Sequence, residues 1–208
     1  DLGQQFFSAQ ASRGWRLFEL LGRRYDVVAA NPPYMGSKNM GPMLRKYVET
    51  HYATGKRDLY AAFILRCIEL CAEGGRMSMV MPQTWMFLRS FAELRAPEES
   101  DEEKKPNRKG RGLLRENAIE TLAQLGRHAF TEADPPSNVT MLVLAVQEPE
   151  EQHRLSCFRV SAPRAAEEQA EILRIPPTYL PQSWHPDNYL RMWRTPETPL
   201  PFNLVSTL

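Results

Sequence analysis

The chain has 208 residues, enough to bury one core, and 26 Lys and Arg against 25 Asp and Glu leave no overall basic field to draw nucleic acid. Any nucleic-acid contact must therefore be local. No apolar run approaches the roughly 20 residues of a membrane span, and no secretory signal pattern opens the chain, so a cytoplasmic protein is the expectation.

In chain order, residues 1–24 read as a helical lead-in: "SRGWRLFELLGRR" sets Trp15, Phe18 and Leu21 at helical spacing behind Ser12 as a cap, despite Gly14. "YDVVAA" follows as a brief apolar run, expected to be a strand buried on both faces. After Asn-Pro-Pro-Tyr and a loop of Gly and Met, "PMLRKYVETHY" predicts a helix with Pro42 in its first turn. Leu44, Tyr47, Val48, His51 and Tyr52 share one face of it. "DLYAAFILRCIELCAEGG" predicts a helix capped by Asp58 and stopped at Gly74-Gly75, and "RMSMVMP" a strand ending at Pro82. Strand, helix, helix, strand favours a parallel crossover in an α/β sheet. Cys67 and Cys71 lie one turn apart with no His at ligand spacing, so they read as reduced, packed thiols and no metal site is expected.

Residues 96–112 carry an acidic block and then a basic one, a solvated flexible insertion whose strip from Lys104 to Arg111 is an alternative phosphate contact. "AIETLAQLG" and "NVTMLVLAVQ" are strand candidates joined through "RHAFTEADPPS", which suits an antiparallel hairpin with a functional tip. Residues 150–208 are proline-rich, with eight of the 17 prolines from Pro163 onward, and are expected to be irregular. The catalytic-motif unit is thus 25–149.

Asn31-Pro32-Pro33-Tyr34 stands at the carboxyl end of the first strand, where parallel α/β sheets gather ligands. The two prolines have no N–H and restrict their own and the preceding backbone, so this segment can offer oxygens but cannot donate. The Asn31 side-chain oxygen beside the Pro32 carbonyl would give two acceptors for an exocyclic –NH2 group. Holding both hydrogens out of plane localises the nitrogen lone pair, and acceptor dipoles favour the positive charge that grows as the nitrogen attacks. One such acceptor, by analogy with a lost oxyanion-hole donor at about 2.7–4 kcal/mol, is worth a factor of hundreds. Tyr34 can stack on the flat group bearing the amine for about 1–3 kcal/mol, which offsets much of the few kcal/mol that extruding a base costs. Phe130, in the hairpin tip, would cover the other face. The plain alternative is a turn after a strand.

The wording "NPPYMGSKNM … GKRDLYAAFILRCIELCAEGGRMSMVMPQTW" resembles the N6-adenine-specific DNA methyltransferases that use S-adenosylmethionine, most of all the PglX group of BREX phage-exclusion systems. The resemblance runs from about Tyr25 to Gln147. It implies the C-terminal half of a Rossmann-like methyltransferase fold, with parallel strands and an antiparallel closing hairpin. It implies that Asn31, Pro32 and Tyr34 clamp and stack an adenine flipped from double-stranded DNA, with Pro33 as stiffener. It places Asp58, Leu59 and Tyr60 on the wall of the S-adenosylmethionine site, and Phe130 over the target base. The family's Phe-x-Gly-x-Gly cofactor loop has no counterpart before Tyr25, where only Gly3, Gly14 and Gly22 occur, and no large target-recognition region follows the hairpin. The expectation is a catalytic half whose partners are the missing cofactor-loop and target-recognition parts. Two other readings stand beside it: a methyltransferase of a protein glutamine amide, and a non-catalytic interaction module that keeps the fold.

Overall fold

The computed structural model describes residues 2–96, 112–126, 138–159, 171, 174 and 176–182. Helix α1 (Leu2–Gly22) leads into strand β1 (Tyr25–Ala30), then α2 (Pro42–His51), α3 (Leu59–Leu70) and β2 (Cys71–Pro82). Two short helices, α4 (Ala92–Arg95) and α5 (Leu113–Glu116), precede β3 (Ala118–Gly126), β4 (Val139–Ala145), β5 (Arg154–Arg159) and β6 (Thr178–Pro181). The six strands form one sheet in the order β1-β2-β4-β3-β5-β6. β1 and β2 are parallel, joined through α2 and α3, while β4 runs antiparallel to both β2 and β3. The parallel crossover and the antiparallel hairpin match the sequence expectation of an α/β fold.

The core lies where α3 and the short helices meet the middle of the sheet. Met77, Met79 and Met81 of β2, Leu142 and Leu144 of β4, Ile64 of α3, and Trp85 are at most 2% exposed. Alternation explains this: every second residue of β2 faces the same layer, and the sequence supplies a methionine at each. Cys67, Cys71 and Cys157 are free and buried, as the thiol reading expects. Burial pushes the Cys67 thiol up to about 11 and the Cys157 thiol up to about 12.

Several expectations are corrected. β1 is not buried on both faces; it is an edge strand, and its Val27 is 66% exposed. Its apolar run shows that a cover is wanted, while the described residues supply β2 on one side only. α1 is continuous from Leu2, so Ser12 and Gly14 lie inside it and Ser12 is not its cap. On α2 only Val48 is buried, and Leu44 and Tyr47 of the expected apolar face are exposed. α3 ends at Leu70 rather than at the glycine pair, because Cys71 already pairs with Tyr25 in the sheet. The register then slips, so that Val27 faces Arg76, and Gly74 and Gly75 absorb the slip. Gly74 takes φ +71°, and a Cβ on Gly75 would sit 2.9–3.1 Å from the carbonyl oxygens of Ala72, Tyr25 and Asp26.

The proline-rich tail is also not wholly irregular. β5 adds to β3 in parallel, β6 adds to β5 antiparallel, and Gln182 donates to Leu114 O and Asn117 O while accepting from Ile119 N. Most of the charged insertion, including Lys104–Arg111, and the hairpin tip with Phe130 lie outside the described residues. Among the described residues no helix is long and apolar enough to cross a membrane, and no cluster of three metal-ligating side chains occurs.

Candidate active site

The carboxyl ends of the two parallel strands lie side by side, with Ala30 opposite Met79. Asn31–Tyr34 leaves the first of these ends and Gln83–Met86 the second, so the segments that the sequence set some 50 residues apart share one rim. Asn31 and Pro33 are exposed, Pro32 is buried, and Tyr34 is partly buried against the core. Among the described residues the Asn31 side-chain amide has no hydrogen-bond partner and stands open to solvent.

Tyr34 is held from behind. Its ring meets Tyr60 edge-on, with centroids 6.4 Å apart and planes at 82°. Tyr60 in turn is fixed by a 3.0 Å hydrogen bond between its hydroxyl and Thr84 Oγ1, and by the Phe91 ring at 5.7 Å. Burial raises the phenol of Tyr34, and more strongly that of Tyr60, above the usual tyrosine range, so both stay neutral. A neutral, partly exposed ring braced edge-on by another ring is held in place, and its exposed part is open to a flat partner.

The loop after Tyr34 is clasped by Asp58. Its Oδ1 accepts from Met35 N at 3.0 Å and from Tyr60 N at 3.3 Å, capping α3 and the loop with one oxygen. Leu59 N donates to Met35 O at 2.9 Å, Ser37 N to Arg57 O at 3.0 Å, and Gly36 pairs with Asp58 as an antiparallel bridge. Arg45 closes the far side by donating through Nε and Nη2 to Ser37 O at 3.0 and 2.6 Å. Burial raises the Asp58 carboxyl, and three backbone N–H groups oppose that rise.

This geometry corrects part of the expected cofactor wall. Leu59 is 9% exposed and Tyr60 1%, so their side chains face the interior and lie out of a ligand's reach. Asp58 commits its Oδ1 to backbone N–H groups. Gly3, Gly14 and Gly22 all sit within α1, and among the described residues no strand precedes them to make a strand-to-helix glycine loop. These positions therefore do not by themselves assemble a cradle for S-adenosylmethionine among the described residues. Sequence reasoning missed Thr84 and Phe91 as braces. Thr84 falls in the "MPQTW" that closes the wording shared with the family, but nothing there marked the residue, and nothing marked Phe91.

Comparison with known proteins agrees with the fold. The family model described as the Eco57I restriction-modification methylase matches residues 4–105. An adenine-specific methyltransferase BrxX of Escherichia coli O9:H4 (strain HS) is 36% identical over 111 residues, 53% of this chain and 8% of that protein. An adenine-specific methyltransferase PglX of Lacticaseibacillus casei (strain Zhang) is 39% identical over 103 residues, 46% of this chain and 9% of that protein. Among solved structures, the ATP-dependent Type ISP restriction-modification enzyme LlaBIII bound to DNA superposes with a TM-score of 0.52 at 11% identity. The match covers 78% of this chain and 12% of that one. The chain thus spans less than a tenth of the length of these two curated relatives, which are adenine-specific methyltransferases, and its residues 4–105 match the Eco57I restriction-modification methylase family.

Proposed function

We propose that this chain is the amine-holding portion of an S-adenosylmethionine-dependent DNA adenine N6-methyltransferase of the restriction or phage-defence type. The observation that carries the reading is the braced rim: Asn31 open, Pro32 and Pro33 without donors, and Tyr34 backed by Tyr60, Thr84 and Phe91. Asn31 Oδ1 and the Pro32 carbonyl accept the two hydrogens of the adenine amino group, and Tyr34 stacks on its ring. The residues align the nitrogen lone pair outward and stabilise the positive charge it gains, while the proton it sheds leaves to water. The methyl group would come from S-adenosylmethionine held by a polypeptide part beyond the described residues.

The same surface indicates where such a part would join. β1 is an open parallel edge with Val27 66% exposed, and α1 beside it exposes Trp15 by 72% and Phe18 by 73%. A strand added at that edge would turn the end of β1 into an internal crevice of the sheet, which is where open α/β sheets bind ligands.

The test is a methylation assay with the complete enzyme on duplex DNA and on a glutamine-bearing protein. Methyl transfer to adenine N6 alone is expected; transfer to the glutamine amide alone would replace the reading by its amide counterpart. A second reading, a non-catalytic interaction module, is favoured by the lack of an assembled cofactor cradle among the described residues. If only this reading holds, the complete assembly transfers no methyl group to either substrate.

A further inference from the structure

Between Met35 and Asp58 the sequence holds five basic residues and two acidic ones, against near balance in the chain as a whole. The fold gathers three of the five. Ser37 N donates to Arg57 O, and Gly36 bridges Asp58, so the strip carrying Lys38 runs beside the strip carrying Lys56 and Arg57. All three side chains are exposed. Asp58, next in sequence to Arg57, is turned inward onto Met35 N and Tyr60 N, and among the described residues no ion pair joins these three cations to an acid.

The strips are held rigidly. Arg45 pins Ser37 O, and Gly55 lies so close to α3 that a Cβ there would come within 2.8 Å of Ala61 C and Ala62 N. Three clustered cations on a fixed backbone repel one another, and an anion relieves that repulsion.

We propose that Lys38, Lys56 and Arg57 form a seat for the sugar-phosphate backbone flanking the nucleotide whose base is held at Asn31–Tyr34. This rests on the amine-clamp reading above. The rim itself offers only acceptors, so it repels phosphate oxygens, and donors must come from its neighbourhood. Lys38 is four residues from Tyr34 and so at most about 15 Å from it by Cα path, before a side chain of several ångströms reaches back. That is the scale of one nucleotide with its two phosphates. Phosphate contacts carry no sequence information, and their role is to fix register so that the base meets the rim.

The test measures binding of the 208-residue chain to a fluorescein-labelled duplex with one unpaired adenine, by anisotropy from 20 to 200 mM NaCl. Each phosphate neutralised contributes about 0.9 to the slope of log affinity against log salt, so Lys38→Gln, Lys56→Gln and Arg57→Gln together lower its magnitude by about 2–3. Raising NaCl from 50 to 200 mM then weakens the unsubstituted chain about 40-fold more than the triple variant. Tyr34→Ala is the companion: it weakens binding and leaves the slope unchanged. An unaltered slope in the triple variant overturns the seat while the clamp stands, and points to a protein partner for these cations. An effect of the triple variant with none from Tyr34→Ala overturns the clamp while the seat stands. No binding by the unsubstituted chain at 20 mM NaCl overturns both for this chain.

Discussion

The two flanks of β2 are equally apolar in sequence and differ in what covers them. On the β4 side, Met79 pairs with Leu142 and both are at most 1% exposed. On the β1 side, the run "YDVVAA" ends the sheet, and α1 carries Trp15, Leu17, Phe18, Leu20 and Leu21 all exposed. α1 is tied down at its C-terminal end, where Arg66 donates to Leu21 O and Tyr25 to Leu20 O. Hydrophobic pattern records what a residue is meant to be covered by, whether or not that cover is in the same stretch of chain.

The tryptophans break or sharpen that comparison most strongly. Trp85, 2% exposed on the closed side, should cost about 3–5 kcal/mol when changed to Ala. Trp15, 72% exposed on the open side, should change the stability of the chain by no more than about 0.5 kcal/mol. Urea unfolding of both variants measures this; equal costs would mean that the open flank is packed in solution.

Next in size is Asp58→Ala, which removes the acceptor shared by α3 and the loop after Tyr34 and should cost about 1 kcal/mol or somewhat more. Tyr60→Phe, which removes only the hydroxyl bonded to Thr84, should cost about 1 kcal/mol in the same experiment and keep the ring that braces Tyr34.

The smallest effect is the pH dependence of the clasp. Burial raises the folded-state value of Asp58 above the ordinary 3.8, so the folded chain holds that proton more tightly than the unfolded chain does. Its contribution is complete below 3.8 and is lost as pH climbs through the raised value. Asp58→Asn keeps an acceptor at the cap and cannot titrate, so the fall in stability across that window should flatten. Superimposable curves of stability against pH would show that Asp58 titrates normally.

Much of the fold was legible because it is written locally. The apolar runs of β2, β3 and β4 named the central strands, and Asp58 before "LYAAF" named the start of α3. β5 and β6 were not legible: β5 is short and finds its partner 35 residues back in β3, as Ser156 opposite Thr121 shows, while proline density masked β6, which pairs with β5. The edge position of β1 was hidden for another reason: a run of Val and Ala signals burial without naming the neighbour. At the site, Asn31–Tyr34 could be read from residue chemistry alone. Its supports could not, because Tyr60 comes 26 residues later and Thr84 50 residues later, and only the parallel register brings them behind Tyr34. The same holds for Lys38 and Arg57, whose strips are joined by the backbone hydrogen bond from Ser37 N to Arg57 O.

The central claim is that the rim at the end of β1 holds an amino group through Asn31. Asn31→Ala in the complete enzyme tests it most directly, with methylation of duplex DNA and S-adenosylmethionine binding measured on the same preparation. Loss of one fixed acceptor worth about 2.7–4 kcal/mol predicts a fall in kcat of about 10²–10³ with cofactor affinity unchanged. Activity within tenfold of the unsubstituted enzyme would contradict the account.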